Sequence, residues 1–180
     1  TVAVNFAHKI SSNPFVLNII EGIVRIAIFL IYILAVSRLE DIKRVFQYHG
    51  AEHKTIFCYE SGAELTVENV KKHGRLHPRC GTSFLFIVMI VRILMFSVFR
   101  RPSLLVRLAT RILLLPIVAG LSYEVIKWAG RSDSAFSKFV SAPGMWLQKI
   151  TTAEPDEQQI EVAIAALKGV LPADKEADNW

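Results

Sequence analysis

The run IAIFLIYILAV, residues 26–36, shows no polar face at helical spacing, and this excludes more folds than any average over the chain. A helix on the surface of a soluble domain keeps one polar side. Extended from about 15 to 37, the run reaches the ~20 mostly apolar residues needed to cross a bilayer. Pro14 stands near its start, and Arg38, Lys43 and Arg44 follow its far end. A second apolar segment, 83–99, contains FLFIVMIV, is interrupted by Arg92 and ends in Arg100, Arg101 and Pro102. A third, 104–128, has Arg107 and Arg111 near its start and Pro116 inside it. The composition agrees, with 52% hydrophobic residues and a mean hydropathy of +0.38.

The expected fold class is therefore an all-α membrane protein. It has about three transmembrane helices, a small cytoplasmic helical cap and a C-terminal amphipathic helix. Residues 1–14 are expected to be the N-terminal remnant of a longer chain, because TVAVNFAHKISSNPF has neither an initiator Met nor the plan of a signal peptide. Residues 15–128 form the three-span membrane domain, with the loop 38–82 on the cytoplasmic side. Residues 129–180 form a cytoplasmic or interfacial C-terminal segment. In that segment Pro143 and Gly144 are expected to make a turn, with Met145, Trp146, Leu147, Ile150 and Trp128 at the membrane interface. A last helix is expected in TTAEPDEQQIEVAIAALKG, with Pro155 near its first position, Ile160, Ala163, Ile164 and Leu167 on one face, and Gly169 as its stop.

The net charge is +5, and the basic residues sit beside the apolar runs. That placement fits cytoplasmic loops rather than a nucleic-acid face, and no nucleic-acid recognition module is visible. Arg38, Lys43, Arg44, Lys54, Lys71, Lys72, Arg75, Arg79, Lys127, Arg131 and Lys138 fall on the side of loop 38–82, against Lys9, Arg100, Arg101 and, near the start of the third segment, Arg107 on the other. This side is expected to be cytoplasmic, in a multi-pass protein of the plasma (inner) membrane. The partners expected are the lipid bilayer, a second copy of the chain or another membrane protein, and no nucleic acid.

Between the first two apolar segments lies YHGAEHKTIFCYE, residues 48–60. His49, Glu52 and His53 recur at three and four residues and so project from roughly one face of a helix. Two imidazoles supply two ligands to a divalent cation, and a carboxylate beside them deprotonates water. HPRCGTSF, residues 77–84, adds His77 and Cys80 at a chelating spacing, with Pro78 stiffening the turn. Mixed nitrogen and sulfur ligands favour Zn²⁺ among divalent metals. The plain alternative is a hydrated juxtamembrane helix followed by a structural turn.

Glu60 lies ~16 Å along the helix from His49 and joins the site only if the chain bends back. Glu124, ~6 Å from the cytoplasmic end of the third segment, is an alternative ligand or a partner for arginine. Arg92, ~14 Å into the second segment, needs a partner or water, whereas Glu21 and Arg25, at i and i+4, satisfy each other. Two cysteines allow no disulfide framework, and Cys58 reads as a buried apolar group. His8 and His73 read as surface residues.

At these residues the sequence resembles the bacterial YqhQ-like membrane proteins, a family of unknown function described as predicted metal-dependent enzymes. The likeness is carried by EGIVRIAIFLIYI, FQYHGAEHKTIFCYE, HPRCGTSFLF, AGLSYEVIKWAGR and PGMWLQKITTAEPDEQQIEVAIAAL, and covers most of residues 15–168. The family's upstream block resembling GGQAVIEGVMMR is not in this sequence. The resemblance implies a membrane-embedded, metal-binding protein with His49, Glu52, His53, His77 and Cys80 at its motif positions.

Two functions follow as expectations. In a Zn²⁺-dependent, hydrolase-like membrane enzyme, His49 and His53 bind the metal and His77, Cys80 or Glu124 completes the set. Glu52 is then the catalytic general base, and Arg79 or Lys54 stabilises negative charge. In a non-catalytic scaffold or assembly factor, His49, His53, His77 and Cys80 close a structural site. Transport along Arg92 and Glu124 is a third expectation, which requires oligomerisation because three spans do not enclose a pathway.

Overall fold

The computed structural model describes residues 13–97, 104–131 and 134–171. Residues 1–12 with His8 and Lys9, residues 98–103 with Arg100 and Arg101, residues 132–133 and residues 172–180 lie outside them. Every regular element among the described residues is a helix: α1 Pro14–Val36, α2 Glu40–Glu60, α3 Val67–Lys71, α4 Gly81–Ser97, α5 Leu104–Leu113, α6 Leu115–Arg131, α7 Ala135–Thr151 and α8 Glu157–Val170. The chain forms two compact units from interleaved segments. The first comprises Thr1–Ala35 and Pro78–Leu147, the second Val36–His77 and Gln148–Trp180.

In the first unit, α1 is long and apolar enough to cross a membrane over Phe15–Val36. Ile28, Ile31 and Tyr32 on it are each more than 60% exposed. Apolar area left bare in water costs about 25 cal/mol per Å², so this surface suits lipid. The segment Leu108–Arg131 also meets the criterion of length and apolarity. It contains a break at Leu114 between α5 and α6, where Pro116 has no N–H to return to the carbonyl of Ile112. Flanking bonds from Leu114 N to Thr110 O at 3.0 Å and from Val118 N to Leu114 O at 2.9 Å hold the two pieces together. The apolar α4 has 17 described residues, or ~26 Å of helix, short of a ~30 Å hydrocarbon core. Of the three expected spans, two are thus long enough and one is a shorter apolar helix.

Small residues let the helices of this unit approach closely, as membrane helices do. A Cβ on Gly22 of α1 would lie 2.7 Å from the side chain of Ile93 on α4. Nearby, Asn18 Nδ2 donates to Phe96 O at 3.2 Å. A Cβ on Gly144 of α7 would lie 2.5 Å from Ser83 Oγ. Pro143 and Gly144 therefore do not form the expected turn. Both lie within α7, whose continuation past the proline brings Gly144 against Ser83, so packing overrides the local breaker signal.

In the second unit, α2, α3 and α8 enclose a core of Ala51, Cys58, Val70, Ile160 and Ile164, flanked by Ala63, Leu65, Val67 and Ala163. Cys58 is fully buried as expected, and burial pushes its thiol above the ordinary value of 9.0, against a smaller lowering by Lys72. Glu40 and Asp41 favour the start of α2, and Gly62, at φ +74°, takes the left-handed conformation just beyond its end. Asp156 caps α8 in a reciprocal capping box with Gln159. Pro155 therefore precedes the cap rather than opening the helix. The helix also runs through Gly169 to Val170, where Leu171 N–H caps Leu167 O, so the glycine is not the stop.

Candidate metal centre

Helix α2 is positioned by a close backbone crossing. Ala153 N–H donates to Phe46 O at 2.8 Å, and a Cβ on Gly50 would lie 2.1 Å from Ala153 O. Only glycine lets segment 151–154 lie against the helix at this level. The crossing brings the carbonyl of Thr151, last residue of α7, to His49 Nδ1 at 2.8 Å. Helix ends leave such carbonyls without an intrahelical donor, and the imidazole supplies one.

His53, one turn further along α2, is buried, and its Nδ1 lies 2.6 Å from Arg75 O. The His49 and His53 ring centroids are 4.4 Å apart. A carbonyl oxygen only accepts, so each Nδ1 carries a proton, and the neutral form of each ring has its lone pair on Nε2. Metal-binding histidines are commonly oriented in this way, with the distal N–H held by a carbonyl or carboxylate. The donor chemistry of this histidine pair fits a divalent transition metal.

His77 is buried beside them, its ring centroid 5.8 Å from that of His53 and 4.5 Å from that of Phe57. Its Nε2 lies 3.2 Å from Glu60 Oε2. Glu60 thus meets a histidine because the chain after α3 folds back to the end of α2. Gln148 clamps the His77 backbone in both directions, its Oε1 accepting from His77 N and its Nε2 donating to His77 O, both at 2.7 Å. Arg75 Nη1 donates to Thr152 O at 2.5 Å and to its Oγ1 at 2.7 Å. The buried Lys54 pairs with Glu154 and donates to Lys71 O at 3.3 Å, so its ammonium serves the folding of this loop. Glu52 is exposed on α2, and His73 is half-buried beside Phe57 and Arg75 rather than on the open surface.

The remaining expected residues belong to the first unit. Cys80 is buried immediately before α4, where its Sγ accepts from Thr82 N–H at 3.4 Å and lies 3.1 Å from Thr82 Oγ1. The stem of Arg79 packs over Gly130 of α6, within 2.7 Å of where a Cβ there would stand. Glu124 is exposed on α6. Glu21 Oε1 accepts from Arg25 Nη2 at 2.6 Å, as their spacing predicts, and Arg92 lines a cavity with that pair. Gln148, Thr151 and Arg75, which orient the histidines, had no motif to announce them. Two act through backbone carbonyls and the third clamps a backbone, and neither role leaves a signature in residue type.

No solved structure matches the chain. A curated relative, an uncharacterized protein YqhQ from Bacillus subtilis (strain 168), is 42% identical over 153 residues. The match covers 84% of this chain and 48% of that protein, so the chain spans about half the length of the relative. The family described as "Protein of unknown function (DUF1385)" matches residues 1–173. Matched over nearly its whole length and sharing this identity with YqhQ, the chain belongs to the DUF1385 family of YqhQ-like proteins.

Proposed function

We propose that this chain is a metal-dependent, hydrolase-like protein of the plasma membrane, with its site at the cytoplasmic face. The observation that carries this reading is the pair of imidazoles on successive turns of α2, each with Nδ1 held by a backbone carbonyl. His49 and His53 would hold Zn²⁺, or another divalent metal, through Nε2. Cys80 would be the third ligand; it follows His77 by three residues, a reach of ~10 Å at most. The engagement of His77 Nε2 by Glu60 supports a set of three protein ligands rather than four, and three leave a position for chemistry.

When bound, such a metal supplies Lewis acidity and makes a coordinated water more acidic. Glu52, exposed on the same helix, would serve as the general base, and Glu60 would hold His77 in place. The substrate class is a membrane-associated peptide or lipid-linked group whose scissile bond lies at the cytoplasmic surface. The topology proposed has three spans, with 38–82 and the C-terminal segment on the basic, cytoplasmic side. A second copy or a membrane-protein partner would then complete the assembly.

Metal analysis and X-ray absorption on purified, unchelated protein test this reading. We expect one divalent transition metal per chain, lost in His49→Ala and His53→Ala and retained in Glu52→Gln. We also expect one sulfur scatterer at ~2.3 Å that disappears in Cys80→Ser. A preparation without transition metal sinks the proposal. A second reading, a structural site in a scaffold, is favoured by the closeness of His53 and His77. A sphere of three nitrogens and one sulfur with no exchangeable water would establish it and exclude the hydrolase.

A further inference from the structure

Within the second unit, α2, the loop after α3 and the segment before α8 enclose an open cavity of about 490 Å³, lined by Lys54, Phe57, His73, Arg75, Leu76 and Glu154. The volume falls in the ~300–1,000 Å³ range of small-molecule sites, which combine apolar walls with a few placed polar groups. It adjoins the histidines. Arg75 lends its carbonyl to His53 Nδ1 and its side chain to the cavity. Phe57, one wall of the cavity, packs on the His77 ring with centroids 4.5 Å apart. A ligand seated there touches the same residues that hold the imidazoles.

The charged groups of the lining differ in what they already hold. The Lys54 ammonium is buried, pairs with the Glu154 carboxylate and donates to Lys71 O, while Lys71 itself pairs with Glu157. Arg75 spends one nitrogen, Nη1, on Thr152, and its Nε lies 3.9 Å from Glu154 Oε2, too long for a hydrogen bond. Two cations thus share one carboxylate, which is bonded to Lys54. His73 makes no side-chain hydrogen bond or ion pair with a described residue, and it is half-buried at the cavity like Arg75. Arginine takes phosphate oxygens two at a time through its planar fork, and a neutral or charged imidazole has an N–H to donate. A carboxylate offers two oxygens in one plane. A phosphate monoester offers three, enough for both residues with the Lys54 charge behind them.

We infer that His73 and Arg75 bind a phosphate group, carried by a lipid-linked molecule or by a small soluble phosphate, and so anchor the substrate beside the histidine pair. The anchoring role rests on the function proposed above, and the phosphate site itself does not. Thermal unfolding of the purified chain in neutral detergent, with and without chelator, reads the binding. Sodium phosphate is compared with sodium chloride and sodium acetate at matched ionic strength, and phosphatidic acid with phosphatidylcholine. We expect stabilisation that persists after chelation. A response to phosphatidic acid, with or without one to phosphate, assigns a lipid-linked group, and phosphate alone assigns a soluble one.

In either case Arg75→Gln should weaken the effective probe about tenfold, the loss of one charged hydrogen bond, and His73→Ala should weaken it in the same direction. Glu154→Gln removes the competing carboxylate and should tighten binding, a gain that a purely structural role for these charges would not produce. Lys168→Gln, exposed near the end of α8, should leave the effect unchanged. If Arg75→Gln does not fold, His73→Ala still decides, because it removes no side-chain bond to a described residue. No stabilisation by either probe, equal stabilisation of wild type and His73→Ala, or an equal response to acetate and phosphate overturns the site. Binding abolished by chelator and spared in Arg75→Gln places the phosphate on a metal and overturns it too. Phosphate binding in a preparation without transition metal would sink the catalytic reading and uphold the site.

Discussion

Gly50 stands between the two histidines of HGAEH, and its absent side chain sets their surroundings. The Ala153 carbonyl occupies the place a Cβ would take, and the same crossing delivers the Thr151 carbonyl to His49. Gly50→Ala is therefore expected to destabilise the chain by about 3 kcal/mol, the upper end for overpacking, because backbone yields less readily than a side chain. Denaturant titration in detergent measures this, and a loss under 1 kcal/mol would show that segment 151–154 moves aside easily. The helical spacing of His49 and His53 was legible in the sequence, and so was the Glu21–Arg25 pair. The glycine's role was not, since its partner is backbone a hundred residues away, and neither was the engagement of Glu60 with His77, which needs the chain to return after α3.

Among the elements, α8 follows its sequence most closely. Ile160 and Ile164 are buried and Ala163 packs beside them, as the apolar spacing predicts. Its start differs only by the cap, which Asp156 and Gln159 provide together. Asp156→Ala should cost about 1 kcal/mol, the usual worth of a capping side chain, while Ile160→Ala should cost about 3 kcal/mol through the lost packing and the cavity left behind. Denaturant unfolding that ranks the cap above the core residue would contradict the burial pattern. Helix α7 departs furthest from expectation. Pro143–Gly144 is a breaker pair by local chemistry, yet the helix runs through it. A glycine that accepts a neighbouring serine against its backbone is indistinguishable, in sequence, from one that turns the chain.

For the whole molecule, two segments long and apolar enough to cross a membrane carry the strongest expectation. The chain should remain in the membrane pellet through an alkaline carbonate wash and leave it only with detergent; release by carbonate would mean that these helices are covered by protein rather than lipid. Association with a bilayer is the expected outcome because α1 leaves apolar side chains exposed and a bilayer is a medium that removes their cost.

What the sequence determined by itself is whatever depends on neighbours within one or two helical turns. That covers helical class, apolar segments, the histidine pair, the i to i+4 ion pair and the amphipathic face of α8. Tertiary structure decided which atoms orient those side chains: the carbonyls of Thr151 and Arg75 on the histidines, Gln148 on the backbone of His77, and the crossing at Gly50. The physical reason is that backbone carbonyls are the same at every residue. Only folding determines which of them remain unsatisfied at a helix end or loop and are carried to a particular imidazole.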